Sequence, residues 1–178
     1  LARVFSDFAN VATRGASLTR PLIQVVTGID KRAHLPEFAE VPLTKRAGAL
    51  RPAPNAQAPA FGRKAVLYAS CYGEFNDQTV GEAALKLLAH NGVDLHVEHP
   101  QCCGMPKFEN GDLAAVAGSA EAVAAFFAPL IDQGYDIVPL TTSCALMLKF
   151  EWPLLLPGNE AVKKLAAKHQ VISLESLR

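Results

Sequence analysis

Little in this sequence marks it for a charged polymer or a membrane. Lys plus Arg and Asp plus Glu number 17 each, for a formal net charge of +0, so no field of one sign is available to hold nucleic acid or an anionic surface. No apolar run is read as reaching the roughly 18–20 residues of a membrane span, and no basic start, apolar stretch and small-residue cleavage site signals secretion. These absences give a cytoplasmic expectation, with no nucleic-acid partner and no transmembrane segment. Catalytic signatures are missing too. After the first short apolar run stands "SCYGEFND" (70–77) in place of a glycine-rich phosphate loop, and there is no nucleophile elbow. Cysteines number only four. In a reducing compartment such sparse thiols are more often metal ligands or redox groups than structural disulfides.

What is present divides in two. The 178 residues, half of them hydrophobic, suffice for one compact domain with a core plus some extension. Val4, Phe5, Phe8 and Val11 recur at helical spacing, and Leu18, Leu22, Val25, Val26 and Ile29 do so again. Two short amphipathic helices are therefore predicted, their apolar faces packing on the chain's own core or, alternatively, on a membrane or partner. "AGALRPAPNAQAPAFG" (47–62) reads as an extended, poorly packed linker. The expected division is a helical connector over 1–50, a linker over 51–62 and an α/β domain over 63–178. The first residue, Leu1, suggests a piece of a longer chain.

Past Arg63 the pattern alternates. "KAVLYAS" (64–70), "VDLHV" (93–97) and "YDIVPLT" (135–141) are short, bounded apolar runs of the kind that form buried strands, although Pro139 weakens the last. Between the first two, Asn76 and Asp77 can cap a helix whose Val80, Ala84, Leu87 and Leu88 share a face and which stops at Gly92. Asp112 to Gly134 reads as helical with a break near Gly118-Ser119. Helical pieces around 145–155 and 159–169 are separated by Pro157-Gly158. Alternating strands and helices predict an α/β fold, a three-layer Rossmann-like sandwich with a short parallel sheet, preceded by the helical connector.

The four cysteines fall at the carboxyl ends of those strands: Cys71 after the first, Cys102 and Cys103 after the second, Cys144 after the third. In an open parallel sheet these ends converge on one crevice. Four thiolates there can hold a soft metal, as zinc or an iron-sulfur cluster. The spacing disfavours zinc, whose structural sites pair ligands two to four residues apart. Adjacent cysteines can hardly chelate one small ion tetrahedrally, whereas they can reach separate irons, and Gly104 lets the backbone approach the inorganic core. Small apolar filler is the alternative for any one cysteine. A Cys102–Cys103 disulfide would be strained, and it suits a redox device better than a staple. His99 is a possible additional ligand. His96 reads as an ordinary face residue, and Glu74, Asp77 and Glu109 as solvated loop charges or helix caps.

Taken together, "ASCYGEFND", "HPQCCGMP" and "TTSCALMLKFEWPLL" resemble the cysteine-rich "CCG" domain of the B subunit of heterodisulfide reductase, of the C subunit of anaerobic glycerol-3-phosphate dehydrogenase and of the iron-sulfur subunit of glycolate oxidase. That motif runs Cys, a long gap, CCG, a second gap, then CxxC. The resemblance covers about residues 64–156, extends to the flanks "LLAHNGVDLHV" and "DQGYDIVPL", and implies the first of two tandem copies. It further implies an iron-sulfur cluster, of [4Fe-4S] type, on Cys71, Cys102, Cys103 and Cys144. The function it implies is electron transfer between a flavin-containing dehydrogenase subunit and a quinone, ferredoxin or disulfide acceptor. The chain would then be an oxidoreductase subunit or fragment, a middle slice beside a second such domain and a ferredoxin-like domain, peripheral to a membrane through its complex. "VVTGIDKRAHLPEFA" (25–39) looks like the connector. Thr141 stands where the motif's CxxC has its first Cys, which leaves four thiols rather than five. A structural copy without a working cluster, apo or zinc-bound, and a thiol-disulfide redox domain are the alternative readings.

Overall fold

The computed structural model describes residues 2–13 and 18–168. Helices α1 (Ala2–Thr13), α2 (Arg20–Thr27) and α3 (Leu43–Leu50) precede strand β1 (Lys64–Tyr68). There follow α4 (Cys71–Phe75), α5 (Thr79–His90), β2 (Asp94–Glu98), α6 (Met105–Glu109), α7 (Leu113–Asp132) and β3 (Tyr135–Pro139). The described chain closes with α8 (Thr142–Leu146), a π-helical turn (Met147–Glu151), α9 (Trp152–Leu155) and α10 (Glu160–Lys168). The final residue of the last predicted helix, His169, lies outside the described residues.

The three strands form one parallel sheet in the order β2-β1-β3, with Lys64 opposite both Asp94 and Tyr135. Alternation along β1 builds two cores. Val66 and Tyr68 face one side with Val123, Phe127, Met147, Trp152 and Leu165, from the helices on that side. Ala65, Leu67 and Ala69 face the other with Leu43, Leu85 and Leu88, under α3 and α5. Helices thus cover both faces of the sheet, whose central strand β1 is a near-continuous buried apolar run, as a parallel sheet covered on both faces requires. The predicted α/β sandwich is the fold observed. Pro139 closes β3 as its last residue, and β3 is an edge strand, where a proline is tolerated.

Several expectations are corrected. The buried face of α5 is Gly81, Leu85, Leu88 and Ala89, whereas Val80 and Leu87 are exposed. The cause is α3, which the sequence reading lacked: Leu43 is fully buried, and a Cβ placed on Gly81 would collide with its methyl groups. Ala47–Leu50 are accordingly helical rather than linker. Residues 51–62 are irregular but pinned, since Asn55 donates its N–H to Ala89 O at 2.8 Å and Gly92 turns against Phe61 with φ +92°. Helix α7 runs unbroken through Gly118-Ser119, with the Ser119 hydroxyl donating back to the Ala115 carbonyl at 3.0 Å as a mid-helix serine can. It is also long and apolar enough to cross a membrane, with mean hydropathy 1.7 over its window, contrary to the reading that no run qualifies. One stripe of it, from Val116 to Ile131, is buried in the core.

The amphipathic helices α1 and α2 form as predicted, but α2 does not lay its stripe on the core. Leu22, Val25 and Val26 are exposed, while the buried residue is Arg20. Its guanidinium donates to the carbonyls of Asp30, Lys31 and Ala33 and so folds the following turn back on the helix. The Asn10 side chain donates to Phe38 O and accepts from Phe38 N, both at 2.7 Å.

Candidate cysteine-rich centre

Each strand ends by handing the chain to a cysteine. Ser70 caps α4 by accepting from Gly73 N at 3.1 Å, a standard use of serine at a helix start, and that places Cys71 in the first turn beyond β1. Cys102 and Cys103 occupy the loop between β2 and α6, and Cys144 lies in the first turn of α8 beyond β3. Cys71 and Cys102 are half-buried; Cys103 and Cys144 are buried, and all four are free thiols. The crevice at the carboxyl ends of the strands thus collects them as the topology requires.

Within it neighbouring thiols shift one another's protonation, Cys71 with Cys102, Cys102 with Cys103 and Cys103 with Cys144. Donors and acceptors separate along that series. Hydrogen bonds from Cys103 and then Cys71, with a further one from Gly104 N–H, hold the Cys102 thiol far below its usual range. The Cys103 hydrogen bond lowers Cys144 to about 7, helped by the Thr141 hydroxyl. Donation to Cys102 raises Cys71 first, with burial next, and donation to Cys102 and Cys144 raises Cys103. Cys103 has one proton, so it serves one neighbour at a time. Burial, with the thiols as neighbouring negative charges, also pushes the Tyr68 phenol up.

The loop carrying Cys102 and Cys103 is held from beneath. Tyr68 donates its hydroxyl to Gln101 O at 2.6 Å, the Gln101 amide reaches Ser119 Oγ at 3.0 Å, and the buried Trp152 indole donates to Cys103 O at 3.1 Å. Gly104 takes φ +85° and ψ +3°, the values of the third residue of a type II turn, and its N–H approaches Cys102 Sγ at 3.4 Å.

The four predicted cysteines and Gly104 therefore share one site. His99 borders it, stacked on Tyr68 and edge-on to Phe75. Its Nδ1 faces Ala69 O at 2.8 Å; a carbonyl only accepts, so that nitrogen carries the proton and Nε2 is the one left to ligate. His96 stays outside, 3.3 Å from Glu98 and edge-on to Tyr135. Glu74 is not a solvated loop charge: it is fully buried on α4 and accepts from Thr44 N at 3.0 Å and Thr44 Oγ1 at 2.7 Å, tying α4 to α3. Asp77 does act at a helix start, accepting from Thr79 N at 2.9 Å, and Glu109 is exposed on α6. The sequence reading missed Tyr68, Gln101 and Trp152. Nothing local marks them, since their partners lie 18 to 49 residues away.

Four soft sulfur donors, two with thiolate character, suit a thiophilic metal group. Contacts run from sulfur to sulfur rather than round one centre: among the described residues no three His, Cys, Asp or Glu side chains gather at a single-ion position. Residues 65–149 match the family model of the cysteine-rich domain, CCG. No solved structure matches the chain.

Proposed function

We propose that the chain is an iron-sulfur electron-transfer module, since residues 65–149 match the family model of the cysteine-rich domain, CCG. In this reading Cys71, Cys102, Cys103 and Cys144 are the ligands of a [4Fe-4S]-type cluster. The observation that carries it is the convergence of all four thiols, from the carboxyl ends of three parallel strands, on one crevice. A cluster bound there supplies one-electron transfer, at a potential governed by burial and by hydrogen bonds to sulfur. The chain's own contribution is definable. Adjacent Cys102 and Cys103 present two sulfurs that differ in exposure, one half-buried and one buried. Gly104 directs an N–H at the first, and Thr141, in the place of a fifth cysteine, directs a hydroxyl at Cys144. His99 Nε2 would be the nitrogen available for a non-thiol ligand. The half-buried pair Cys71 and Cys102 lies on the side open to solvent and so to an electron partner. Such a partner would be a flavin-bearing subunit of a dehydrogenase- or heterodisulfide-reductase-like complex, with a quinone, ferredoxin or disulfide as acceptor.

Replacing Cys103 with Ser tests this. The visible absorbance and iron content of anaerobically purified protein should be lost, because a buried hydroxyl is a poor substitute for thiolate. Iron content equal to that of the parent chain would refute the assignment. A second reading, a structural copy that docks neighbouring domains without a cluster, draws on Thr141 and on the lack of a single-ion position among the described residues. It requires that stability be the same with and without iron, whereas a group bound only by the native state adds stability.

A further inference from the structure

The Cys103–Gly104 peptide is gripped at both ends. Its carbonyl accepts the Trp152 indole N–H at 3.1 Å, and its N–H points to Cys102 Sγ at 3.4 Å. In a trans peptide these two bonds point in opposite directions, so fixing the carbonyl aims the N–H. The alternative orientation is a real one: turning this single peptide over moves Gly104 from its left-handed conformation, φ +85°, to negative φ, which a glycine adopts as readily. In that state the N–H leaves Cys102 and the buried indole loses its acceptor. An unpaired buried donor is costly, and Trp152 is fully buried.

The placement of Trp152 has its own local cause. Pro153 lacks an N–H, and its ring crowds the carbonyl four residues back, that of Lys149. The helix meets this by widening into the π turn of Met147–Glu151, after which Trp152 opens α9. Widened turns of this kind are frequent at functional sites. Resting on the cluster-binding reading above, we infer that Trp152 is a positioning residue. It locks the Cys103–Gly104 peptide in the orientation that donates a hydrogen bond to the Cys102 sulfur, and so tunes the bound cluster. An N–H aimed at a ligand sulfur favours the more negative, reduced state, so loss of the lock lowers the reduction potential.

The chain holds a single Trp, so biosynthetic replacement by benzothienylalanine, an isostere with sulfur in place of the ring N–H, changes this one donor. Trp152→Phe serves as the second variant. In metal-free full chain, amide exchange of Gly104 should become at least about tenfold faster in both, the scale of one lost hydrogen bond. In anaerobically reconstituted protein the midpoint potential should move negative with iron content unchanged. Unchanged Gly104 exchange overturns the lock. Faster exchange with an unmoved potential overturns the tuning. If the parent chain takes up no iron, the redox reading fails by itself, the tuning falls with it, and the exchange experiment still decides the lock.

Discussion

Two glycines, Gly104 and Gly118, should respond to the same substitution with opposite signs. Gly104 sits at φ +85°, where an alanine pays about 1–2 kcal/mol for the left-handed backbone. Space adds little to this, since its Cβ would stand 3.4 Å from Val116 Cγ1. Gly118 is an exposed residue within α7, and a Cβ there meets nothing within 4 Å. Alanine at such a position gains about 0.5–1 kcal/mol from helix propensity. Gly104→Ala should therefore lower the Tm of metal-free protein by roughly 2–8 °C, at about 2–4 °C per kcal/mol for a chain of this size, and Gly118→Ala should raise it. Chemical denaturation of both variants beside the parent protein, in reductant, gives the free energies. In the cluster-binding reading, Gly104→Ala should also move the midpoint potential of reconstituted protein negative, because the strain is relieved by turning the peptide N–H away from Cys102. A Gly104→Ala protein as stable as the parent, or a loss from Gly118→Ala, would refute the backbone geometry assigned to the loop and to α7.

Gly92→Ala should be more damaging, since the left-handed strain is joined by a Cβ 2.7 Å from Phe61 N and 2.9 Å from Asn55 O. Both neighbours are backbone, so a loss above about 2 kcal/mol is expected in urea, and wild-type stability would mean that 51–62 does not pack there. In metal-free protein, Cys102 should alkylate first, at a rate that stays flat from mildly acidic to neutral pH. Its lowered thiol pKa keeps the thiolate populated where an ordinary thiol still gains reactivity as pH rises. Peptide mapping after iodoacetamide checks this, and labelling of buried Cys103 ahead of Cys102 would contradict the donor order of the sulfurs.

How much of this was legible depends on the range of the interactions involved. Strands β1, β2 and β3 were readable because each is a bounded apolar run, and placing the cysteines at their ends needed only the topology of parallel sheets. Helices α4 and α6 were read as loops; at five residues each they show no periodicity, although Ser70 three residues before Gly73 was a usable cap signal. The one-residue error in the buried face of α5 followed from the absence of α3, whose Leu43 claims the Gly81 side. The exposed stripe of α2 was misplaced because Arg20, bonded to the turn at 30–33, took the inward position a hydrophobic residue was expected to hold. In the site itself the four cysteines were legible and their arrangement was not. The order of thiol contacts and the grip of Trp152 on Cys103, 49 residues apart, exist only once β2, β3 and α7 have been assembled.

The cluster assignment stands or falls on iron and acid-labile sulfide per chain in protein purified without oxygen, read with its electron paramagnetic resonance spectrum. About four of each are expected, with a signal on reduction or oxidation that marks a thiolate-held cluster. Negligible iron, persisting after anaerobic reconstitution, would contradict the assignment and leave the converged thiols without the redox role proposed for them.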